Sequence, residues 1–96
     1  MPIERAGWHM DGSPPWWDAN DETFYFFLCK QGCERVLCAV ALDVLEHAVQ
    51  SSELSEPALL RIFEAHRLMI ELRAAQKLNA GMLDSNGRVL LGVGDI

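Results

Sequence analysis

Long apolar segments are missing from this sequence of 96 residues. A membrane-spanning helix needs roughly 18 to 20 consecutive apolar residues, and no stretch approaches that length. The first fifteen residues also lack the apolar segment of a signal peptide. We therefore expect no membrane segment and a cytoplasmic location. Hydrophobic residues nevertheless make up 50% of the chain, as in an ordinary globular domain.

Basic residues are scarce. There are 8 lysines and arginines against 14 acidic residues, which gives a formal net charge of −6. Nonspecific affinity for nucleic acid depends on lysine and arginine neutralising phosphates. Attraction to an anionic membrane surface also depends on basic side chains. The composition therefore predicts that the protein binds neither nucleic acid nor a membrane.

The sequence has only three cysteines, Cys29, Cys33 and Cys38. An odd number cannot close into a set of intramolecular disulfides, which is typical of a reducing compartment. Their spacing is not the paired C-x-x-C arrangement of a zinc ribbon, so they are weak candidates for a metal site, and no cofactor is predicted. Cys38 is interpreted as a small buried residue. Cys29 and Cys33 could form a disulfide under oxidation if they face each other across a turn.

Residues 1–15 are predicted to be an irregular N-terminal arm in front of a single α+β domain, residues 16–96. Glycines and prolines interrupt any regular pattern in the arm and just after it. Three tryptophans nevertheless lie in this part of the chain, and disordered segments are poor in aromatic residues. We therefore expect the arm to lie across the folded body and to close an edge, with Trp16 or Trp17 covering apolar surface.

The segment from Phe24 to Val40 predicts a β-hairpin, because aromatic and β-branched residues flank a Lys-Gln-Gly break. If Cys29 faces Cys33, alternate residues fall on two faces, and both faces are apolar. A free antiparallel sheet usually has one polar face. We therefore expect both faces of this hairpin to be buried against other parts of the protein or a partner.

Two helices and a C-terminal strand complete the predicted fold. The first helix covers Leu42–Gln50, and the second begins after an N-cap at Ser55 and continues to Ala80 before Gly81. A turn at 84–87 leads into a strand at 88–93, with Met82 and Leu83 as a possible short partner strand. The predicted fold class is α+β, with a small antiparallel sheet (the N-terminal hairpin plus a C-terminal strand or hairpin) packed against one long and one short helix.

The long helix carries cations on its apolar stripe. At about 100° per residue, His66, Arg67 and Lys77 share a line with Phe63 and Ile70. The structural interpretation is that the cationic side chains border the core while their heads reach water or an acid such as Asp95 or Asp84. The alternative is a binding patch for an anion or a partner. The residues of this candidate patch are His66, Arg67, Lys77 and Asp95.

The opposite side of the long helix is apolar as well, which predicts a second contact. That contact is either cover from within the chain or a homodimer interface. The candidate interface residues are Ile62, Met69, Leu72, Trp16 and Trp17.

The order of these elements resembles a known family. It runs from Trp-Asp through a Phe-rich strand and Val-x-Cys-x-Val to Phe-x-x-His-Arg-x-x-Ile-x-x-x-Ala-x-x-Lys, then Asp-x-x-Gly-x-Val and a terminal Asp. The chain is similar in this respect to the short bacterial proteins grouped as domain of unknown function 1488, over roughly residues 16–96. Residues before Trp16 fall outside the pattern, as does Ala41, where the family tends to have a capping serine. The resemblance implies a small bacterial cytoplasmic α+β protein and implies no activity.

No paired general acid and base is visible, so no catalytic residue is predicted. The predicted function is noncatalytic: protein–protein contact, either as a homodimer or with another protein. The alternative is a module that binds a small ligand, an anion or a metal through His66 and Arg67 or through the cysteines.

Overall fold

The computed structural model describes residues 8–10, 14–30, 34–49 and 55–96. The predicted α+β class is confirmed as a mixed five-stranded sheet with three helices. In chain order the elements are β1 (His9–Met10), β2 (Trp16–Asp18), β3 (Thr23–Lys30), β4 (Glu34–Ala41), α1 (Leu42–Val49), α2 (Glu56–Ala65), α3 (Arg67–Asn79) and β5 (Val89–Leu91). Among the described residues, no helix combines the length and apolar character needed to traverse a bilayer.

The predicted hairpin is the centre of the sheet. Strands β3 and β4 pair antiparallel over eight residues each, with Phe26 opposite Cys38. Cys29 lies opposite Arg35, two positions from the register that a Cys29–Cys33 pair requires. A shift of two keeps every side chain on its predicted face, because side chains alternate with a period of two. Cys33 itself lies outside the described residues.

The C-terminal strand β5 joins the sheet parallel to β4, with Ala39 opposite Leu90. The prediction of a wholly antiparallel sheet is therefore wrong. All three helices lie between β4 and β5 in the chain, and a crossover of this length is what a parallel pair requires. Met82 and Leu83 form no strand, so the predicted short partner is wrong as well.

The predicted single long helix is two helices, divided at His66. His66 leaves helical geometry, with φ −105° and ψ 11°. Its backbone N–H is shared between the carbonyls of Ile62 and Phe63, both at 3.1 Å. Its imidazole Nδ1 lies 2.9 Å from the Ile62 carbonyl oxygen. A polar side chain bonded to the carbonyl four residues back is a known cause of a local bend.

The predicted ends of this helical pair are confirmed. Ser55 is the N-cap of α2, and its hydroxyl accepts the backbone N–H of Ala58 at 3.3 Å. After α3, Gly81 has φ +73°, and the N–H of Met82 bonds to the carbonyl of Lys77 at 2.9 Å. This is the Schellman arrangement, in which glycine takes the left-handed position without steric cost.

The N-terminal arm, together with strand β2 that follows it, closes one edge of the sheet, as predicted. Both β1 and β2 pair antiparallel with the edge of β3 that β4 leaves open. His9 and Met10, predicted to be irregular, are thus a short strand. Trp8 and Met10 are each only 7% exposed, so the arm contributes to the core.

One face of the sheet carries the hydrophobic core. Phe63 of α2 packs against Phe24 and Phe26, with ring centroids 5.5 and 5.6 Å apart. Ile70 and Ala74 of α3 are fully buried against the same face, as their shared stripe predicts. In the described part of the chain, all three helices contribute to this single core, and the other face of the sheet carries no helix.

Candidate interaction surface

The face of the sheet opposite the helices is apolar and partly exposed. We call it the open face. Strand register brings its members together from β2, β3, β4 and β5. They are Trp16, Tyr25, Phe27, Leu37, Ala39 and Leu90. Trp16 is 42% exposed and Leu90 46% exposed. A sheet with apolar residues on both faces explains why the hairpin sequence shows no polar alternation.

The side chain of Trp16 covers part of the open face. Its ring stacks on Tyr25 with centroids 5.7 Å apart and an interplanar angle of 25°. It also contacts Phe27 at 5.6 Å. Tyr25 is consequently buried, while the outer side of the indole remains accessible. Trp16, Tyr25 and Phe27 thus form an aromatic ridge. Burying its exposed surface in a contact would be energetically favourable.

The two ends of the open face carry different charged residues. At one end Arg35 stacks over Phe27, with its guanidinium carbon 4.0 Å from the ring centroid. At the other end a groove of about 550 Å³ is bordered by Asp21 and Asp43. Arg88 also borders it, but its Nε lies 2.9 Å from the Asp84 carboxylate, which offsets its charge. The groove is therefore acidic.

Tyr25 connects the aromatic ridge to the acidic groove. Its hydroxyl donates a hydrogen bond of 2.7 Å to Asp21 Oδ2. This bond raises the pKa of Tyr25 above its ordinary value, and desolvation acts in the same direction. The phenol is therefore a neutral donor at neutral pH, and Asp21 is held as an acceptor at the rim of the groove.

The predicted binding patch is divided between two places. Arg67 Nη1 lies 3.4 Å from Glu64 Oε2 in an exposed pair, and His66 bonds to the backbone at the helix division. Lys77 lies further along α3, where its Nζ contacts Asp95 Oδ2 at 2.8 Å and the carbonyl of Leu90 at 3.0 Å. Asp95, one of the two acids predicted to pair with one of these cations, pairs with Lys77. The four residues do not form a single patch.

The predicted interface residues are also divided. Trp16 and Trp17 are neighbours on a strand and so point to opposite faces. Trp16 lies on the open face, while Trp17 packs against Phe24 at 5.1 Å on the core side. Ile62 and Leu72 are partly buried on the helices, and Met69 is 41% exposed there. Their interface role stays a prediction.

The cysteines have separate environments. Cys38 is fully buried, as predicted, and burial raises the pKa of its thiol to about 12. Cys29 is partly exposed on the same face as Phe27, and its Sγ lies 3.4 Å from His9 Nε2. Within residues 8–10, 14–30, 34–49 and 55–96, no group of three or more His, Cys, Asp and Glu side chains is placed to hold a metal ion.

Comparison with known proteins decides the family. The model of a protein family described as protein of unknown function (DUF1488) matches residues 12–91. The chain belongs to this family. The DUF1488 match includes everything from β2 to β5 but not β1 or Asp95, so its limits differ at both ends from the resemblance seen in the sequence.

The fold is similar to that of a solved DUF1488 protein. A crystal structure of a protein of unknown function from this family, from Shewanella loihica PV-4, has a TM-score of 0.80 and 22% sequence identity. The similarity covers 95% of this chain and 94% of that chain. At this identity it shows the fold. No curated protein matches the chain.

Two residues of this DUF1488 chain were missed by sequence reasoning. No periodic pattern or motif in the sequence singles out Arg35. Its interest comes only from the structure, which places it beside Phe27 on the open face. Glu71 is 7% exposed and accepts a hydrogen bond from the backbone of Met10, 61 residues earlier. An acid among apolar positions of a predicted helix is the one signal that could have indicated a buried partner.

Proposed function

We propose that this protein is a small bacterial cytoplasmic protein without catalytic activity, which acts by associating with a second copy of itself through the open face. The observation that carries the proposal is the exposed apolar surface on one side of the sheet, where Trp16 and Leu90 are 42% and 46% exposed. Large exposed apolar side chains on one face are typical of a contact site.

A second copy suits this surface because the surface is self-complementary. It has the guanidinium of Arg35 at one end and the carboxylates of Asp21 and Asp43 at the other. A two-fold interface uses the same patch on both subunits, so a patch with both signs of charge can pair with itself. The net charge of −6 opposes association at long range. At about 0.15 M salt the Debye length is about 8 Å, which screens that repulsion.

The noncatalytic part of the proposal is supported by the contacts of the candidate site residues. Arg67 pairs with Glu64, and Lys77 pairs with Asp95. His66 bonds to the Ile62 carbonyl at the division between α2 and α3. These contacts give each of the three side chains a role in the fold, which supports the proposal.

Native mass spectrometry of reduced, metal-free protein tests the proposal. We expect a dimer for the wild type and a monomer-shifted distribution for Leu90→Ser. Leu68→Ser is the matched control, because Leu68 is 78% exposed on the helical side of the molecule. A wild-type monomer over the micromolar range would contradict the proposal. So would equal loss of dimer in both variants.

The alternative function, metal or ligand binding, has one observation in its favour. The thiol of Cys29 and the imidazole of His9 lie 3.4 Å apart on neighbouring strands. Both are metal ligands when deprotonated. A metal mass retained by the purified protein and lost in Cys29→Ser would favour this alternative over self-association.

A further inference from the structure

Strand β5 lies at one end of the sheet order, and in the described part of the chain no strand pairs with its outer edge. The backbone N–H and C=O groups on such an edge can serve as a template for pairing with another strand. Exposed apolar side chains border the surface hollows at this edge and would favour that pairing. They are Leu90, Val93 and Met82, which are 46%, 53% and 58% exposed. Natural proteins close such edges with charged side chains or with a covering segment.

Strand register determines which backbone groups of β5 point outward. The N–H of Leu42 bonds to the carbonyl of Glu22 at 2.8 Å, which continues the antiparallel ladder of β3 and β4. Hydrogen-bonded pairs alternate along such a ladder, so the backbone groups of Ala39 point away from β3 and toward β5. Ala39 lies opposite Leu90, and the slanted bonds of a parallel pair reach the residues on either side of Leu90. The backbone groups of Leu90, and of Gly92 two residues later, therefore point outward.

One ion pair occupies an acceptor and a donor of this edge. Lys77 Nζ donates to the carbonyl of Leu90 at 3.0 Å. Asp95 Oδ2 accepts the backbone N–H of Gly92 at 2.6 Å. The same Asp95 oxygen lies 2.8 Å from Lys77 Nζ, and both side chains are only about a quarter exposed, at 22% and 26%. The two charged groups thus satisfy each other and the outward backbone groups together.

We propose that the ion pair of Lys77 and Asp95 is an autoinhibitory contact, which closes the outer edge of β5 against the same edge of a second copy. Two identical edges can pair antiparallel across a two-fold axis, because each offers the other the same groups. An incoming strand would need the carbonyl of Leu90 and the N–H of Gly92, which the ion pair already holds. This edge is distinct from the open face, because its backbone groups lie in the plane of the sheet.

Breaking the ion pair in a protein with a weakened open face tests this proposal. Leu90→Ser supplies the background, since it alters a side chain of the open face and keeps the backbone of β5. In that background Lys77→Met removes the ammonium group, whereas the control Arg67→Met adds the same side chain at an ion pair within the helical layer. We expect Lys77→Met to associate about tenfold or more tightly than the control, because it alone uncovers the carbonyl of residue 90. Lys77→Arg keeps a cation and should behave like the control.

Sedimentation velocity measures the association, and amide hydrogen exchange locates it. If the edges pair, the amides of residues 90 and 92 should exchange more slowly as the Lys77→Met protein is concentrated, because outward N–H groups gain acceptors. Circular dichroism confirms folding, and Asp95→Ala, which uncovers the Gly92 N–H, replaces Lys77→Met if that variant does not fold. Equal association of the variant and the Arg67→Met control would overturn the proposal. So would tighter association without slower exchange at residues 90 and 92.

Discussion

Glu71 of α3 accepts a hydrogen bond from the backbone N–H of Met10 at 2.9 Å, although 61 residues separate them in the chain. Glu71 is 7% exposed, and Met10 is equally buried. Burying a charged group is costly unless it is hydrogen-bonded. This contact therefore joins the short strand β1 to the helical layer and holds Trp8 and Met10 in the core.

Replacing Glu71 should loosen the arm. We expect Glu71→Ala to lower the free energy of unfolding by about 1 to 3 kcal/mol, because the buried N–H of Met10 loses its acceptor. Glu71→Gln keeps a carbonyl oxygen and should lose less. Urea unfolding followed by tryptophan fluorescence measures both, with Trp8 reporting on the arm.

Glu64→Ala is the control for this prediction. Glu64 makes a 3.4 Å pair with Arg67 in which both side chains are about 40% exposed. Such pairs contribute little, so the loss should stay below about 0.5 kcal/mol. Equal losses for Glu71→Ala and Glu64→Ala would mean that the arm is not held by Glu71.

The ion pair between Lys77 and Asp95 makes stability depend on pH. Burial raises the pKa of Asp95, but hydrogen bonds from Lys77 and from the Gly92 backbone outweigh it, so the pKa lies below its ordinary value. A lowered pKa stabilises the folded state above the unfolded pKa of about 3.9. That stabilisation is lost as the pH falls through the folded pKa.

Comparing the wild type with Asp95→Asn isolates this effect. The difference in unfolding free energy should be largest above about pH 5 and should shrink below about pH 4. The pKa of Asp84 is also lowered, first by the hydrogen bond from the Arg88 backbone. Asp84 is present in both proteins, so its contribution to the pH dependence of stability cancels in the difference. A difference that stays constant from pH 6 to pH 3 would contradict the ion-pair assignment.

The two described cysteines should differ in reactivity. A variant that retains only Cys38 should resist iodoacetamide at pH 8 in the native state and react after denaturation. Its thiol is buried and its pKa is raised to about 12, so little thiolate is available. A variant that retains only Cys29 should react in the native state, because that side chain is partly exposed. Rapid native labelling of Cys38 would show that the core opens readily.

Local signals in the sequence predicted local structure well. The Ser55 cap, the Gly81 terminus and the two faces of the hairpin are each determined by one or a few neighbouring residues. Strand pairing across the helical crossover is not local, so the parallel placement of β5 could not be predicted. The division at His66 also escaped, because it depends on a hydrogen bond between a side chain and the backbone rather than on apolar spacing.

The candidate site was harder to predict than the fold. The sequence showed that both faces of the hairpin are apolar, but not which face the helices would cover. Helical spacing brought the cations of the long helix together in projection, whereas the structure gives Arg67 and Lys77 separate acid partners. The charged ends of the open face depend on strand register, which brings Arg35 beside Phe27 and Asp43 near Asp21.

Sedimentation equilibrium of the reduced wild-type protein tests the central claim, self-association, most directly. The protein is studied at about 0.15 M salt across micromolar concentrations, where specific dimers of moderate affinity form. We predict a mass that rises with concentration to twice that of the chain. A mass equal to that of one chain at every concentration would contradict the claim.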